Sequence, residues 1–244
     1  MNVGVFFTSR EVDEADVDGR LAVVIDVIRA TSTMVEALAN GARGIFPTRS
    51  TEEAIKLASS LGREDTILCG ERKGLRIDGF DLGNSPREFT PEAVSGKQLV
   101  MTTTNGTRAF LAAEAAETVL AASLLNLSAI GEEISGASDL AIICAGRQDR
   151  FSLDDALCAG LLLKHLGEAH EGEMNLNDAG KVSLELAGNH RPDPAFLKAT
   201  AAGRALEGLG LQDDLELCAH VDRHALVPKM TDRRIALLGR RGEN

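Results

Sequence analysis

Three stretches of this chain put reactive side chains where an apolar run gives way to a polar turn: "DVIRATST" at 26–33, "TTTNGT" at 102–107 and "CAGRQDRFSLDD" at 144–155. Each passes from strand-like residues into a helix-like pattern. The turns are therefore expected at the carboxyl ends of strands, where open α/β sheets bind ligands. A helix start there offers unpaired amides and the positive end of the helix dipole, a natural anion site. Gly106 and Gly146 allow close backbone approach, and Thr31, Ser32, Thr33, Thr103, Thr104, Asn105 and Thr107 add hydrogen-bonding groups. Asp26 ends an apolar run, where an ionised carboxylate is costly unless paired or bound to a cation. Arg29 is near enough in sequence to pair with it; alternatively, Asp26 holds a divalent cation and Arg29 an anion. Glu71 with Arg72, and Asp154 with Asp155, extend the same chemistry. Carboxylates and backbone oxygens suit Mg2+, which keeps waters and binds phosphate oxygens. The pattern fits a phosphate or sulfonate ligand.

Every one of these residues also has a plainer reading. Thr33 with Glu36, Ser50 with Glu53 and Ser152 with Asp155 have the spacing of helix caps. Asn105-Gly106 is a common tight turn. The functional reading gains from convergence: three such turns would meet at one edge of one sheet. Two competing phosphatase signatures can be weighed. "CAGRQDR" has Cys-x5-Arg spacing, the arrangement of a thiolate nucleophile under a phosphate, but the match is short and Cys144 reads better as the buried end of a strand. A phosphoaspartyl enzyme would want a second Asp two residues after Asp26, where Ile28 stands.

The elements that must position these groups alternate. "RLAVVIDVI", "GIFP", "TILC", "KQLVMTT", "TVLA" and "DLAIICAG" read as strands, each followed by a helical pattern or a polar loop. After residue 155 the chain becomes mostly helical through Leu217, and the last stretch, "VPKMTDRRIALLGRRGEN", reads as a short strand or helix with a frayed basic tail. The expected fold is α/β, with α/β/α layers around a largely parallel or mixed sheet. It is divided either as an N-terminal lobe (1–136) and a helix-rich C-terminal lobe (137–244) with the site between them, or as one compact domain. A polar connection from 69 to 91 is too long for a simple turn, and such loops usually carry function. At an offset of 76 residues "VIDVIRATS" overlays "VMTTTNGTR", Thr31 matches Thr107 and Ser50 matches Asn126; a duplication and two ordinary units of similar size both explain this.

Composition narrows the function class. The net charge of −11 disfavours a nucleic-acid partner. Tyr and Trp are absent, which removes the usual platforms for stacking bases. No run is apolar enough for a membrane span. The start, "MNVGVFFTSREVDEADVDG", lacks a basic region followed by a long apolar stretch and reads instead as a strand from Val3. Cys69, Cys144, Cys158 and Cys218 are scattered, which fits a reduced, cytoplasmic setting. His220 and His224 are four apart with no matching cysteine pair, which argues against zinc. The expected partner is a small anionic phosphorylated substrate, with a homodimer as the working oligomeric state.

"DVIRATST", "CGERKGLRIDGFDLGNSP", "TTTNGT" and "CAG…FSLDD", in that order across residues 21 to about 160, together resemble the 2-phosphosulfolactate phosphatase family. "GFDLGNSP" after "CGER" is the most distinctive part; Asp154 departs from the Glu expected before Asp155. The resemblance implies a Mg2+-dependent hydrolase that converts 2-phospho-3-sulfolactate to 3-sulfolactate and phosphate, a step towards coenzyme M. It implies a metal held by Asp26, Glu71 and Asp155, with Arg29 and Arg72 offsetting substrate charge. Asn84 and Ser85 would fix the long loop or donate to the ligand, the threonine turn and Asn105 would add hydrogen bonds, and Asn126 is a further candidate contact. Water attacking in line, or a phosphoenzyme on Asp26, would both suit these groups.

Overall fold

The computed structural model describes residues 1–169 and 173–237. Its strands are β1 (Asn2–Phe6), β2 (Leu21–Ile25), β3 (Gly44–Pro47), β4 (Thr66–Arg72), β5 (Leu75–Arg76), β6 (Gln98–Thr102), β7 (Thr118–Ala122), β8 (Asp139–Cys144), β9 (Asn175–Leu176), β10 (Pro228–Thr231) and β11 (Arg234–Leu237). The helices are α1 (Glu14–Val17), α2 (Ala30–Ala39), α3 (Thr51–Leu61), α4 (Pro91–Val94), α5 (Gly106–Ala112), α6 (Leu127–Ile134), α7 (Leu153–Ala169), α8 (Asp178–Asn189), α9 (Pro194–Ala199), α10 (Ala201–Gly208) and α11 (Asp213–Cys218). The expected α/β alternation and the helical run after residue 155 are both present. The end of the chain forms a hairpin, β10–β11, and the basic tail lies outside the described residues.

All the strands belong to one mixed sheet, ordered β5-β4-β6-β3-β11-β10-β7-β2-β8-β1-β9. It consists of two mostly parallel limbs, β4-β6-β3 and β7-β2-β8-β1-β9, joined through the antiparallel hairpin. Position 136 does not separate two sheets, because β8 lies between β1 and β2. Side-chain alternation along each strand sorts residues into layers. Val23 and Ile25 of β2 face a core built with α6 and α7, while Ala22 and Val24 face a second core. Into that second core come Leu99 and Met101 of β6, Ile45 of β3, and residues of α2 and α5, so the two limbs share it. On the far face of β6, Val100 packs with Leu68 and with Ala54 and Ala58 of α3. Strands covered on both sides explain the near-continuous apolar runs.

Helix boundaries follow capping chemistry. Ser50 accepts from the Glu53 amide at the start of α3, as expected, but the Glu53 carboxylate turns to the Arg49 amide instead of completing the box. α2 begins earlier than the Thr33–Glu36 spacing predicts: Asp26 Oδ1 takes the Ala30 amide, so the helix is under way by Ala30 and Thr33 lies inside it. Ser152 and Asp155 do not form a box either; Ser152 Oγ donates to Asp154 Oδ1 at 2.7 Å.

Gly70 shows how tightly the strand ends are packed. Its φ is +145°, and a Cβ there would stand 2.0 Å from the Thr102 carbonyl oxygen. Gly70→Ala is expected to lower stability by a few kcal/mol, through backbone strain and a clash that no side chain can relieve. Gly188→Ala, on α8 with nothing within 4 Å, is expected to be neutral or stabilising by up to about 1 kcal/mol through helix propensity. Thermal melting of both variants checks the contrast; equal effects would contradict it.

Candidate active site

The ends of β2, β4, β6 and β8 open on one cavity of about 300 Å³. Its wall includes Asp26, Arg29, Glu71, Asn84, Thr103, Thr104, Asn105, Gly146 and Asp155, so all four expected catalytic groups and five of the expected ligand contacts meet there. The remaining candidates do not line it. Thr31 Oγ1 donates to the Asp26 carbonyl and accepts from its amide, Ser32 Oγ donates to the Val27 carbonyl and Thr33 Oγ1 to that of Asn84; all three are fully buried stitches holding the turn. Thr107 does the same for Thr103. Arg72 is bonded to the Glu71 carbonyl and Thr102 Oγ1, because alternation along the strand turns it away from the face that Glu71 occupies. Ser85 is bonded to Asp214, and Asn126, beyond the end of β7, is tied to Ser123, Ala121 and Leu226. Gly106 is a spacer: a Cβ there would meet Ala30 Cβ at 2.4 Å and Asp26 Oδ2 at 2.6 Å, so only glycine lets α5 start this close to α2.

The acids are held by main-chain donors. Asp155 Oδ1 accepts from the Val27 amide at 2.8 Å and Oδ2 from Gly146 at 3.0 Å. Glu71 Oε1 accepts from Thr104 at 2.7 Å and Oε2 from Gly74 at 2.7 Å. Asp26 Oδ1 accepts from Ala30 at 3.2 Å. Asp154, absent from the expected ligand contacts, is also buried beside them. Burial disfavours the charged forms and raises the pKa of all three aspartates, that of Asp26 to about 7. The charges of Asp154 and Glu71 push Asp26 the same way; the Ala30 amide and Arg29 oppose them.

Arg29 does not pair with Asp26 as the sequence spacing suggested. The Ile28–Arg29 peptide is cis, and the guanidinium donates from Nη1 to Asp214 Oδ2 at 2.7 Å and from Nη2 to the Gly74 carbonyl at 2.8 Å. Both partners are nearly sealed, at 4% and 2% exposure. Asp214 also accepts from Ser85 Oγ at 2.6 Å. Sequence reasoning missed this carboxylate, 185 residues away on α11; the only sign was an acidic pair opening "DDLELC". It also missed Lys73, Arg147, Gln148 and Ser152, and the apolar wall from α10, where Ala202, Ala205 and Leu206 are followed by Leu209. Lys73 falls in the turn just after β4, where alternation along the strand no longer says which way a side chain faces.

Among the described residues no three Asp, Glu, His or Cys side chains are grouped to hold a metal ion, so the expected set of Asp26, Glu71 and Asp155 is not assembled as a cage. Each of the three is held instead by main-chain amides. The donor set still fits Mg2+: it is all hard oxygen, its members repel one another, no hydrogen bond takes Asp26 Oδ2 among the described residues, and Mg2+ needs only one or two carboxylates beside waters and phosphates. A thiolate nucleophile does not fit. Cys144 is fully buried in β8, and burial pushes its pKa well up, with the charge of Asp155 adding to the effect. All four cysteines are buried free thiols.

Residues 6–233 match the family model described as 2-phosphosulpholactate phosphatase. The chain is 43% identical over 222 residues to a probable 2-phosphosulfolactate phosphatase of Symbiobacterium thermophilum, covering 90% of this chain and 95% of that one. It is 38% identical over 236 residues to a protein of the same description from Clostridium acetobutylicum (96% and 100%), and 40% identical over 216 residues to one from Thermotoga maritima (88% and 91%).

The raised pKa of Asp26 makes stability depend on pH. In the unfolded chain this carboxyl ionises near 3.8, in the folded protein near 7. The folded state therefore holds its proton longer, and this contribution to stability is full below pH 4 and is lost as pH rises to about 7. Asp26→Asn keeps the acceptor for Ala30 and removes the charge. In EDTA at pH 8 it is expected to raise the melting temperature, on the order of a few kcal/mol of stability, with the gain shrinking towards pH 4. A variant less stable than wild type at pH 8 would contradict this.

Proposed function

Because this chain belongs to the 2-phosphosulfolactate phosphatase family, and so to the phosphoric monoester hydrolases, we propose that it hydrolyses 2-phospho-3-sulfolactate to 3-sulfolactate and phosphate with Mg2+. The observation that carries this reading is the meeting of Asp26, Glu71, Asp155, Arg29 and the Thr103–Asn105 turn in one cavity. A cytoplasmic location and a pathway of the coenzyme M type belong to the same proposal.

Asp26 would hold the ion directly through Oδ2, with Glu71 and Asp155 lending negative charge through oxygens already anchored by amides. When bound, the ion supplies neutralisation of the phosphoryl oxygens and acidifies water. The protein supplies position. Arg29, immobilised by Asp214 and the Gly74 carbonyl, sets a fixed cation beside the acids, where charge builds on the phosphoryl group. The Asn105 side-chain amide, on a turn whose Thr104 main-chain N–H and hydroxyl both donate to Glu71, orients the ester. Ile28 and Leu206 narrow the cavity and limit water around the reacting bond. The hydrolysis itself consumes one water: its oxygen bonds phosphorus as the bond to the sulfolactate oxygen breaks, and that oxygen leaves with a proton.

Phosphate release from 2-phosphosulfolactate is the direct test. Turnover is expected with Mg2+ and to stop in EDTA. Asp26→Asn is expected to lower kcat by about 10²-fold or more, as for loss of a group that acts on transition-state charge. Cys144→Ser is expected to keep activity within a few-fold, since a structural buried thiol is inert. Activity that survives EDTA, or that Cys144→Ser alone abolishes, would overturn the reading.

A further inference from the structure

The cavity is lined by three cations, and only one of them has an acid partner. Arg29 is paired with Asp214. Lys73 and Arg147 also line the wall, yet among the described residues neither lies within 4.0 Å of a carboxylate oxygen. They come from turns on different strands: Lys73 follows β4 and Arg147 follows β8. Each turn is bracketed by hydrogen bonds to the site itself. Glu71 Oε2 takes the Gly74 amide on one side of Lys73, and the Gly74 carbonyl takes Arg29. Gly146 gives its amide to Asp155, and Gln148 gives its own to Asn105 Oδ1, fixing the residues either side of Arg147. The Arg147 amide and carbonyl both bond Arg150, which closes the turn. The backbone that carries the two unpaired cations is thus anchored to the groups that would act on the phosphate.

An unpaired cation facing a cavity, with its backbone already ordered, is a site for a ligand anion that costs little further entropy on binding. The acids and Arg29 account for a phosphoryl group; two more cations call for two more anionic groups on the same small molecule. Resting on the proposed phosphatase function, we propose that Lys73 and Arg147 are the specificity-determining residues, Arg147 gripping the substrate's carboxylate and Lys73 its sulfonate. A guanidinium presents a planar pair of donors that matches a carboxylate. An ammonium is a compact charge with three rotatable donors, suited to the three oxygens of a sulfonate.

Three substrates separate the roles: 2-phosphosulfolactate, 2-phospholactate, which lacks only the sulfonate, and p-nitrophenyl phosphate, which lacks both acids. Lys73→Met is expected to reduce the kcat/KM preference for 2-phosphosulfolactate over 2-phospholactate by about 10- to 100-fold, the scale of a lost charged hydrogen bond. Arg147→Met is expected to reduce the preference for 2-phospholactate over p-nitrophenyl phosphate by a similar factor, with Arg147→Lys restoring part of it. Unchanged preferences in either variant, including an equal loss on all three substrates, would overturn the assignment. A wild-type protein inert towards all three would instead overturn the phosphatase reading. Calorimetric titration with 3-sulfolactate then decides the pair: weaker binding by both variants supports it, and equal affinity sinks it.

Discussion

Asp26, Asp154 and Asp155 lie together where little water reaches, beside Glu71, and burial works against the charge on the three aspartates. An unsupported set of such carboxylates would be expensive to fold. The structure spends main-chain donors on them instead: the amides of Ala30, Val27, Gly146, Thr104 and Gly74 all point at an acid of this group. Those amides belong to turns after four different strands, so the sheet order, the early start of α2 and the glycine at the start of α5 all serve the requirement that these turns reach one place. The cost that remains is what the proposed cation would relieve.

Four turns converge in this way because the fold is close to two-fold symmetric. Exchanging β2 with β6, β3 with β7, β4 with β8 and β10 with β11 turns the order β4-β6-β3-β11-β10-β7-β2-β8 into its own reverse. Hydrogen bonds repeat with the strands. Thr31 Oγ1 stitches both main-chain groups of Asp26, and Thr107 Oγ1 stitches those of Thr103. The next amide, Val27 or Thr104, donates to an acid from the neighbouring strand end, Asp155 or Glu71. Thr31 and Thr107 are 76 positions apart, while Asp26 and Thr103, and Val27 and Thr104, are 77 apart, so the equivalent bonds follow the sequence offset with a slip of one residue in the turn, which favours duplication over coincidence. What differs is the residue at the strand end: Asp in one unit, Thr in the other. A carboxylate at both would add a further buried charge to a site already crowded with them.

What could be read from the residues follows the same physics. Strand–helix alternation and the apolar runs are local signals, and they placed the strands and the site-bearing turns. The acids were legible because ionisable groups at the ends of buried strands are costly enough to demand a reason. Hydroxyl groups were not separable in this way. Thr31, Ser32, Thr33 and Thr107 look the same in sequence whether they face a ligand or a neighbouring carbonyl, and the structure gives them to the carbonyls. Arg72 and Lys73 are adjacent cations, and the end of β4 between them, with Lys73 in a turn at φ +54°, decides which one faces the cavity. Asp214 was out of reach because its partner stands 185 positions away and an acidic pair is its only local mark.

The C-terminal helices, weakest in motif, are nevertheless part of the active arrangement. Without Asp214 the Arg29 guanidinium would be a buried cation left with one carbonyl, and removing one member of a sealed ion pair costs more than the pair contributes. Asp214 also takes the Ser85 hydroxyl, so α11 fastens the long loop after β4 to the turn after β2. Arg87 on the same loop reaches Asp213, an exposed pair that adds little stability by itself but extends the same seam. α10, just before α11 in the chain, supplies Ala202, Ala205 and Leu206 to the cavity wall. The long polar connection in the sequence is ordered because it is pinned between the turn after β2 and α11, with Arg29 and Asp214 each needing the other to keep its charge balanced.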